Sequence, residues 1–418
     1  MTHRRLKIVI FVAGLLFFYG IPGHAFLYED LVDLIRNKFI STIDQVLPHL
    51  PAEFLENYTL AYDSRSLHES SPDFPRVILF GNSAKLILTF NGSPDQRGYQ
   101  NLEIMQFREE ARVFELRSIS FDKGIRFSDR NPAACLACHG ASPRPVWSSY
   151  EYSEDNEVQH WPGFYGSTHD APILNPEEKA AFVRFLTLAP AHPRYQSLKL
   201  QDEGSRWYPY GPGPYKHQFR PNNRLGNLLA RLNAQRVAHH LRQSPIFRAY
   251  PNLSLLWILH CPQISKEAYS HFLAERNLRS YALQSKPGSN LPRSGERTGF
   301  VLEKLLSGMD TYTWNLTLES GADESLFFTG IVRIDELVAA ALLSSLPANH
   351  WLRQYYVPWT QRELYDTFQA GYYAANVAPG GVGAAYEALG RFYDRDRARK
   401  ACPDLDKLAS AEVIKAGS

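Results

Sequence analysis

The chain has 418 residues, 44% apolar and 13% aromatic, with 45 Lys and Arg against 43 Asp and Glu. A charge this close to balance argues against a nucleic-acid-binding protein and against a basic membrane-surface protein, while leaving room for a local charged patch. The length suits two or three compact regions.

Residues 1–25 have the pattern of a secretory signal peptide. His3, Arg4, Arg5 and Lys7 form a basic start, Ile8 to Tyr19 an apolar run, and Gly23-His24-Ala25 a small-residue cleavage site. The run is shorter than the ~20 residues a spanning helix needs, which disfavours an uncleaved anchor. Nothing later in the chain is long and apolar enough to span either. Cutting after Ala25 removes Arg4, Arg5 and Lys7 and no acid, so the net charge of +2 becomes about −1. The expected product is a soluble exported protein in the periplasm, without stable membrane insertion after cleavage.

Residues 26–130 predict an N-terminal helix followed by a small antiparallel β region. Tyr28 to Ile40 places Leu31, Leu34, Ile35 and Phe39 at helical spacing. Arg76–Phe80 and Lys85–Phe90 are β-rich runs parted by Gly81-Asn82-Ser83. Asn91 to Asp95 is a turn cluster. Leu102–Phe107 and Arg112–Phe121 flank residues 108–111 and predict a hairpin.

Residues 131–220 hold the most informative feature, Cys135-Leu136-Ala137-Cys138-His139. Cys-x-x-Cys-His is the attachment sequence of c-type haem. The two sulfurs form thioether bonds with the haem vinyl groups, and the adjacent imidazole becomes the proximal iron ligand. The spacing puts both sulfurs on one face of a helical turn. Asn131-Pro132 predicts an N-cap with Pro at the first helical position, and Gly140 a stop. A dithiol redox site would want a βαβ unit around the motif, and a zinc site a second close ligand pair. Neither is evident, so these remain the outlying readings. The following stretch is dense in Pro, Gly and aromatics: residues 144–147, 161–167 and 207–215. One helix interrupts it, capped by Asn175 with Pro176 at its first position and running to Leu188. Long loops of this kind tend to be functional, and here they are expected to wrap the haem. Arg144, five residues after His139 and held between two prolines, is a candidate partner for a haem propionate, or else a surface ion pair. Trp147, Trp161 and Tyr165 are candidates to line the pocket, or else ordinary core.

Residues 221–418 predict a mainly α-helical region. Leu225, Leu228, Leu229, Leu232, Val237 and Leu241 make one apolar stripe. Further helices are expected near 264–276, 296–307, 335–345, 360–375, 381–400 and 404–415, with a hairpin of 311–318 and 325–332. The Gly380–Gly383 run follows no strand and is a poor phosphate cradle. No nucleophile-elbow sequence is present. Cys261 and Cys402 could form a disulfide in an exported protein, or stay as buried thiols. The fold class is thus α+β: a small antiparallel β region, a short haem-binding helix with long loops, and a helical C-terminal region.

Cys135–His139 resembles the c-type cytochromes, and the stretch to about residue 170, with Arg-Pro-x-Trp and Trp-Pro-Gly-x-Tyr-Gly-Ser, looks like a group of exported bacterial cytochrome-c-like proteins of unassigned role. The resemblance implies one covalent haem c, an axial histidine, and redox or ligand chemistry at iron. The chain is several times longer than a compact class I cytochrome and lacks an obvious methionine in the usual place. Candidates for the sixth iron ligand are Met309, Met105, His160 and His169, with a vacant position as an equal alternative; His192, His217, His239, His240, His260, His271 and His350 are weaker. Methionine or a second histidine would saturate the iron and favour electron transfer with a separate redox partner protein. An open position would favour a peroxidase, an oxidase or a sensor, the first needing a polar distal group such as His160 or His169.

Overall fold

The computed structural model describes residues 25–64, 66–145, 151–152, 158–159, 163–165, 176–200, 221–243, 245–249, 251–258, 341–355 and 402–417. Its centre is a six-stranded antiparallel meander in the order β1 to β6. The strands are β1 (Tyr58–Ala61), β2 (Arg76–Phe80), β3 (Leu86–Phe90), β4 (Asn101–Arg108), β5 (Val113–Ser120) and β6 (Arg126–Phe127). The four strands expected from residues 76–121 are all present. The two edge strands β1 and β6 are additions, each too short to carry a clear period of two.

Helices surround the sheet, and α+β describes the architecture. Among the described residues they are α1 (Tyr28–Asn37), α2 (Ile43–Val46), α3 (Ala52–Glu56), α4 (Ala133–His139), α5 (Pro176–Leu188), α6 (Pro221–Gln243), α7 (Pro245–Ala249), α8 (Pro251–Ile258) and α9 (Cys402–Gly417). Residues 341–345 are also helical. A proline opens α5, α6, α7 and α8, where its fixed φ suits a first turn and its missing N–H costs nothing.

Register separates two sheet faces. Leu88 pairs with Ile104 and Leu102 with Ile119 on one; Ile87 pairs with Met105 and Phe107 with Phe114 on the other. The first face is mostly apolar, with Gln106 accepting from Tyr28 N–H at 2.9 Å and Glu115 opposite it. Leu79, Leu88, Phe90, Leu102 and Ile104 bury against α1 and against Phe182 and Phe185 of α5. The second face packs Ile78, Phe80, Ile87, Phe107 and Phe114 against Leu225, Leu229 and Leu232 of α6, so the predicted stripe finds its partner.

α1 ends earlier than its spacing predicted. Ile40 donates its N–H to the Ile35 carbonyl at 3.1 Å, closing a six-residue turn. That turn puts Phe39 in the left-handed region at φ 53° and turns it outward, 90% exposed. Ile40 is buried in its stead. Phe39 therefore does not belong to the apolar stripe.

The segment after α4 returns to the far edge of the sheet. Tyr62 donates to the Gly163 carbonyl at 2.7 Å, and Tyr165 N–H to the Leu60 carbonyl at 3.0 Å. Residues 128–163 therefore pass from β5 to the outside of β1, roughly 24 Å at the usual strand spacing. Gly163 has φ +81°, and a Cβ there would lie 2.4 Å from the Asp63 carbonyl oxygen, so only glycine fits. A two-stranded ribbon, β7 (Glu151–Tyr152) and β8 (Val158–Gln159), sits within the stretch expected to be loop.

At the C-terminus α9 packs on α8, and the Asn252 N–H donates to both Glu412 carboxylate oxygens at 3.2 Å. Cys402 is buried and disulfide-bonded; Cys261, the partner expected from the sequence, lies outside the described residues. So do the signal segment to residue 24, the hairpin of 311–318 and 325–332, and the helices near 264–276, 296–307, 360–375 and 381–400. No described helix is long and apolar enough to cross a membrane.

Candidate functional site

The Cys-x-x-Cys-His residues form α4 itself, Ala133–His139. The start differs from the expected cap. Asn131 has φ 57°, its N–H donates to the Leu116 carbonyl at 2.8 Å, and its Oδ1 accepts from Leu116 N–H at 2.8 Å. With both groups committed to β5, Asn131 cannot cap. Pro132 takes that place, its carbonyl accepting from Cys135 at 2.9 Å and Leu136 at 3.1 Å. The stop is as expected: Gly140 has φ 79° and ψ 165°, a region that essentially only glycine enters.

α4 buries none of its side chains. Cys135 is half-buried, Cys138 is exposed, and both are free thiols. Burial pushes the Cys135 thiol up, and the nearby Glu103 and Cys138 add to the shift.

His139 closes a clasp. Its Nδ1 lies 2.5 Å from the Arg144 carbonyl oxygen, and the Arg144 N–H donates to the His139 carbonyl at 3.2 Å. A carbonyl can only accept, so Nδ1 carries the proton and Nε2 keeps its lone pair. Burial holds the imidazole below its usual range, against the opposing Arg144 carbonyl and Glu103. A neutral histidine with one nitrogen anchored to a carbonyl is the form that binds iron.

Two polar groups adjoin the clasp. On the second sheet face, Arg76 pairs with Glu103 at 3.1 Å, and His68 Nδ1 lies 3.2 Å from Thr89 Oγ1 and 3.5 Å from Glu103. His68 is almost fully buried, and burial pushes it down to about 4 despite Glu103. On α6, Arg236 Nη1 donates to Ser142 Oγ at 3.3 Å, and His240 Nε2 lies 3.4 Å from the same oxygen. Burial, and then Arg236, push His240 down to about 4.

Of the residues expected from the sequence, Cys135, Cys138, His139 and Arg144 come together. Met105 lies next after Glu103 on the second face, half-buried among the apolar residues under α6. Trp147, Trp161, His160, His169 and Met309 lie outside the described residues, as do His217, His260 and His271. Tyr165 takes the core alternative: it packs against Phe182 and Phe185 on the first face, and its hydroxyl donates to the Pro72 carbonyl at 2.7 Å. Its ring is held there because residues 163–165 pair with β1. His192 stacks on Tyr195, and His350 Nδ1 accepts from Leu352 N–H at 3.2 Å, so both have structural partners.

Arg76, Glu103, His68, Arg236 and His240 were not singled out as one site. The available signal was the polar residues Arg76 and Thr89 in the otherwise apolar strands β2 and β3, opposite Glu103 in β4.

Among the described residues no three His, Cys, Asp or Glu side chains are placed to hold a metal ion directly. Covalent haem does not require that, because the sulfurs bond to carbon and only the imidazole bonds to iron. Searches with family models, curated proteins and solved structures match nothing to this chain.

Proposed function

We propose that the chain is an exported c-type cytochrome carrying one covalent haem c on Cys135 and Cys138, with His139 as proximal iron ligand, and that it transfers electrons in the periplasm. The observation that carries this reading is the His139 Nδ1 to Arg144 carbonyl contact at 2.5 Å, beside two free thiols on an open helix. When bound, haem supplies reversible one-electron chemistry at iron. The residues do the rest. Cys135 and Cys138 tether, and the anchored imidazole presents Nε2. The Arg144 backbone fixes that ring, and we assign its side chain to a propionate. Ala133, Ala134, Ala137 and the half-buried Leu136 leave α4 with an apolar surface for a flat cofactor. The Pro-, Gly- and aromatic-rich stretches of 144–147, Trp147 among them, and 207–215 are the cover we assign to it. The sixth ligand stays among Met105, Met309, His160 and His169, or the position is open. A single motif provides no internal chain of haems, so electrons pass to or from a separate redox partner protein. The reading includes removal of the signal peptide after Ala25, with no membrane insertion afterwards and no nucleic-acid partner.

A haem enzyme of the peroxidase or oxidase type, or a haem-based sensor, is the second reading. It is favoured by Glu103 and Arg76, whose charges act on His139, beside the buried His68.

The test is an absorption spectrum of protein made in a host with haem-attachment machinery. We expect a pyridine haemochrome of the c type and a reduced spectrum indifferent to carbon monoxide. No haemochrome would sink both readings and return the motif to a dithiol or zinc role. A carbon monoxide shift would move the enzyme or sensor reading ahead.

A further inference from the structure

The end of α1 presents an aromatic ring that the fold does not use. Phe39 follows the helix at φ 53° and is 90% exposed. It occupies the place, just before the turn that Ile40 closes onto the Ile35 carbonyl at 3.1 Å, that glycine usually fills. A bulky residue in this conformation is an outlier, and outliers of this kind gather where function needs them. One exposed apolar side chain is ordinary by itself. Phe39 adds backbone strain to near-complete exposure. Among the described residues the next most exposed large apolar side chain, Leu67, reaches 47%.

The surroundings say what the ring fits. Phe39 N–H donates to the Arg36 carbonyl at 3.3 Å, and the Arg36 guanidinium lies 5.2 Å over the Phe127 ring. That contact brings the last turn of α1 to β6, at the edge of the sheet. Ile125, two residues before Phe127 and so on the same side of an extended chain, is 36% exposed. The turn leading to it holds Lys123, also in the left-handed region at φ 52°. Residues 36–39 and 122–126 are all exposed, and they carry Arg36, Lys38, Lys123 and Arg126 against the single acid Asp122. Asp33 and Asp129 are the next acids along the chain on either segment. In a protein whose total charge is close to balance, this is a local cationic surface around exposed apolar side chains.

We propose that Phe39 and Ile125, with Arg36, Lys38, Lys123 and Arg126, dock the exported protein on an anionic phospholipid surface, without a spanning segment. The ring enters the boundary between headgroups and acyl chains, and the cations meet the lipid phosphates. An acidic soluble partner would use the four cations but has no need of a strained, outward ring, so the observations favour the membrane. The proposal takes its setting from export and does not depend on haem.

The test measures co-sedimentation of the exported chain with vesicles of phosphatidylcholine alone and of phosphatidylcholine with phosphatidylglycerol in equal parts. We expect partitioning onto the phosphatidylglycerol vesicles only, lost at high salt. Lys38→Gln and Lys123→Asn should each lower it about five-fold. Phe39→Gly should abolish it while leaving the thermal midpoint unchanged or raised, because glycine suits φ 53°. Phe39→Trp should keep it. The haem-free Cys135→Ala/Cys138→Ala chain should partition like the haem-loaded one, so the outcome stands apart from the haem reading. Equal sedimentation with both vesicle types, or with neither, would overturn the proposal. Partitioning that falls with Lys38→Gln and Lys123→Asn but not with Phe39→Gly would give the surface to charge alone, as for an acidic soluble partner, and overturn the membrane assignment. A lower thermal midpoint for Phe39→Gly would return Phe39 to the fold and overturn it as well.

Discussion

The two faces of the sheet are built from alternate residues of the same strands, yet they serve different ends. The first face, under α1 and α5, is filled with Leu, Ile and Phe and closed by Tyr165 and Tyr195. The second begins in the same way under α6, then changes along the strands to Arg76, Thr89 and Glu103 beside His68. A buried polar group of this size is not the most stable filling of a sheet face. Its charges shift Cys135 and His139. The contrast teaches that the apolar filling of one face serves packing alone, while the polar end of the other acts on the neighbouring helix α4 through charge.

The largest effect should come from breaking the first face. Phe185 is fully buried between Tyr165, Phe182 and Tyr195. Phe185→Ala is expected to cost about 3–5 kcal/mol in denaturant unfolding while leaving the reactivity of Cys138 unchanged in the folded protein. An unchanged midpoint would show that this face is not the stabilising one.

The second face should show itself in pH dependence. His68 is depressed to about 4 in the fold against 6.5 outside it. Its contribution is complete above the unfolded value and is lost as pH falls through the folded one. Stability should therefore drop between pH 6.5 and about 4, by roughly 3 kcal/mol for this group. His240, also depressed to about 4, adds in the same window, as does His192, also lowered. His68→Gln should flatten the slope; a slope equal to that of the wild type would remove His68 from the account.

A smaller loss is expected for Tyr165→Phe, which keeps the ring and removes the hydrogen bond to Pro72. About 1 kcal/mol, with no change in haem content or spectrum, would place Tyr165 in the core and outside the site. Altered haem content would reverse that placement.

The finest test compares the faces through a thiol. Glu103 helps hold the Cys135 thiol up, so Glu103→Gln should lower its pKa. Alkylation of haem-free protein by iodoacetamide at mildly alkaline pH should then be faster at Cys135. Equal rates in the two proteins would break the link between the polar end of the sheet and α4.

Local information settled a good deal of this protein. The helical stripe of Leu225, Leu229 and Leu232, the central strands, the stop at Gly140 and the thiol pair beside His139 were legible because each depends on neighbours within a few residues. The edge strands and the replacement of Asn131 by Pro132 as the cap were not, because pairing with β2 and β5 decides them. Phe39 shows the same limit on a smaller scale: its spacing fits the stripe, but the closing turn at Ile40 sends it outward.

The sequence by itself determined the Cys-x-x-Cys-His spacing on which the haem proposal rests, because two cysteines and a histidine within five residues need no partner from elsewhere in the chain. Only the tertiary structure decided what surrounds them. Glu103 and Arg76 come to act on α4 through strand register, and Arg236 and His240 meet Ser142 just beyond it because α6 packs on the same face. Charges act through space rather than along the chain, so the company of a site is fixed by packing.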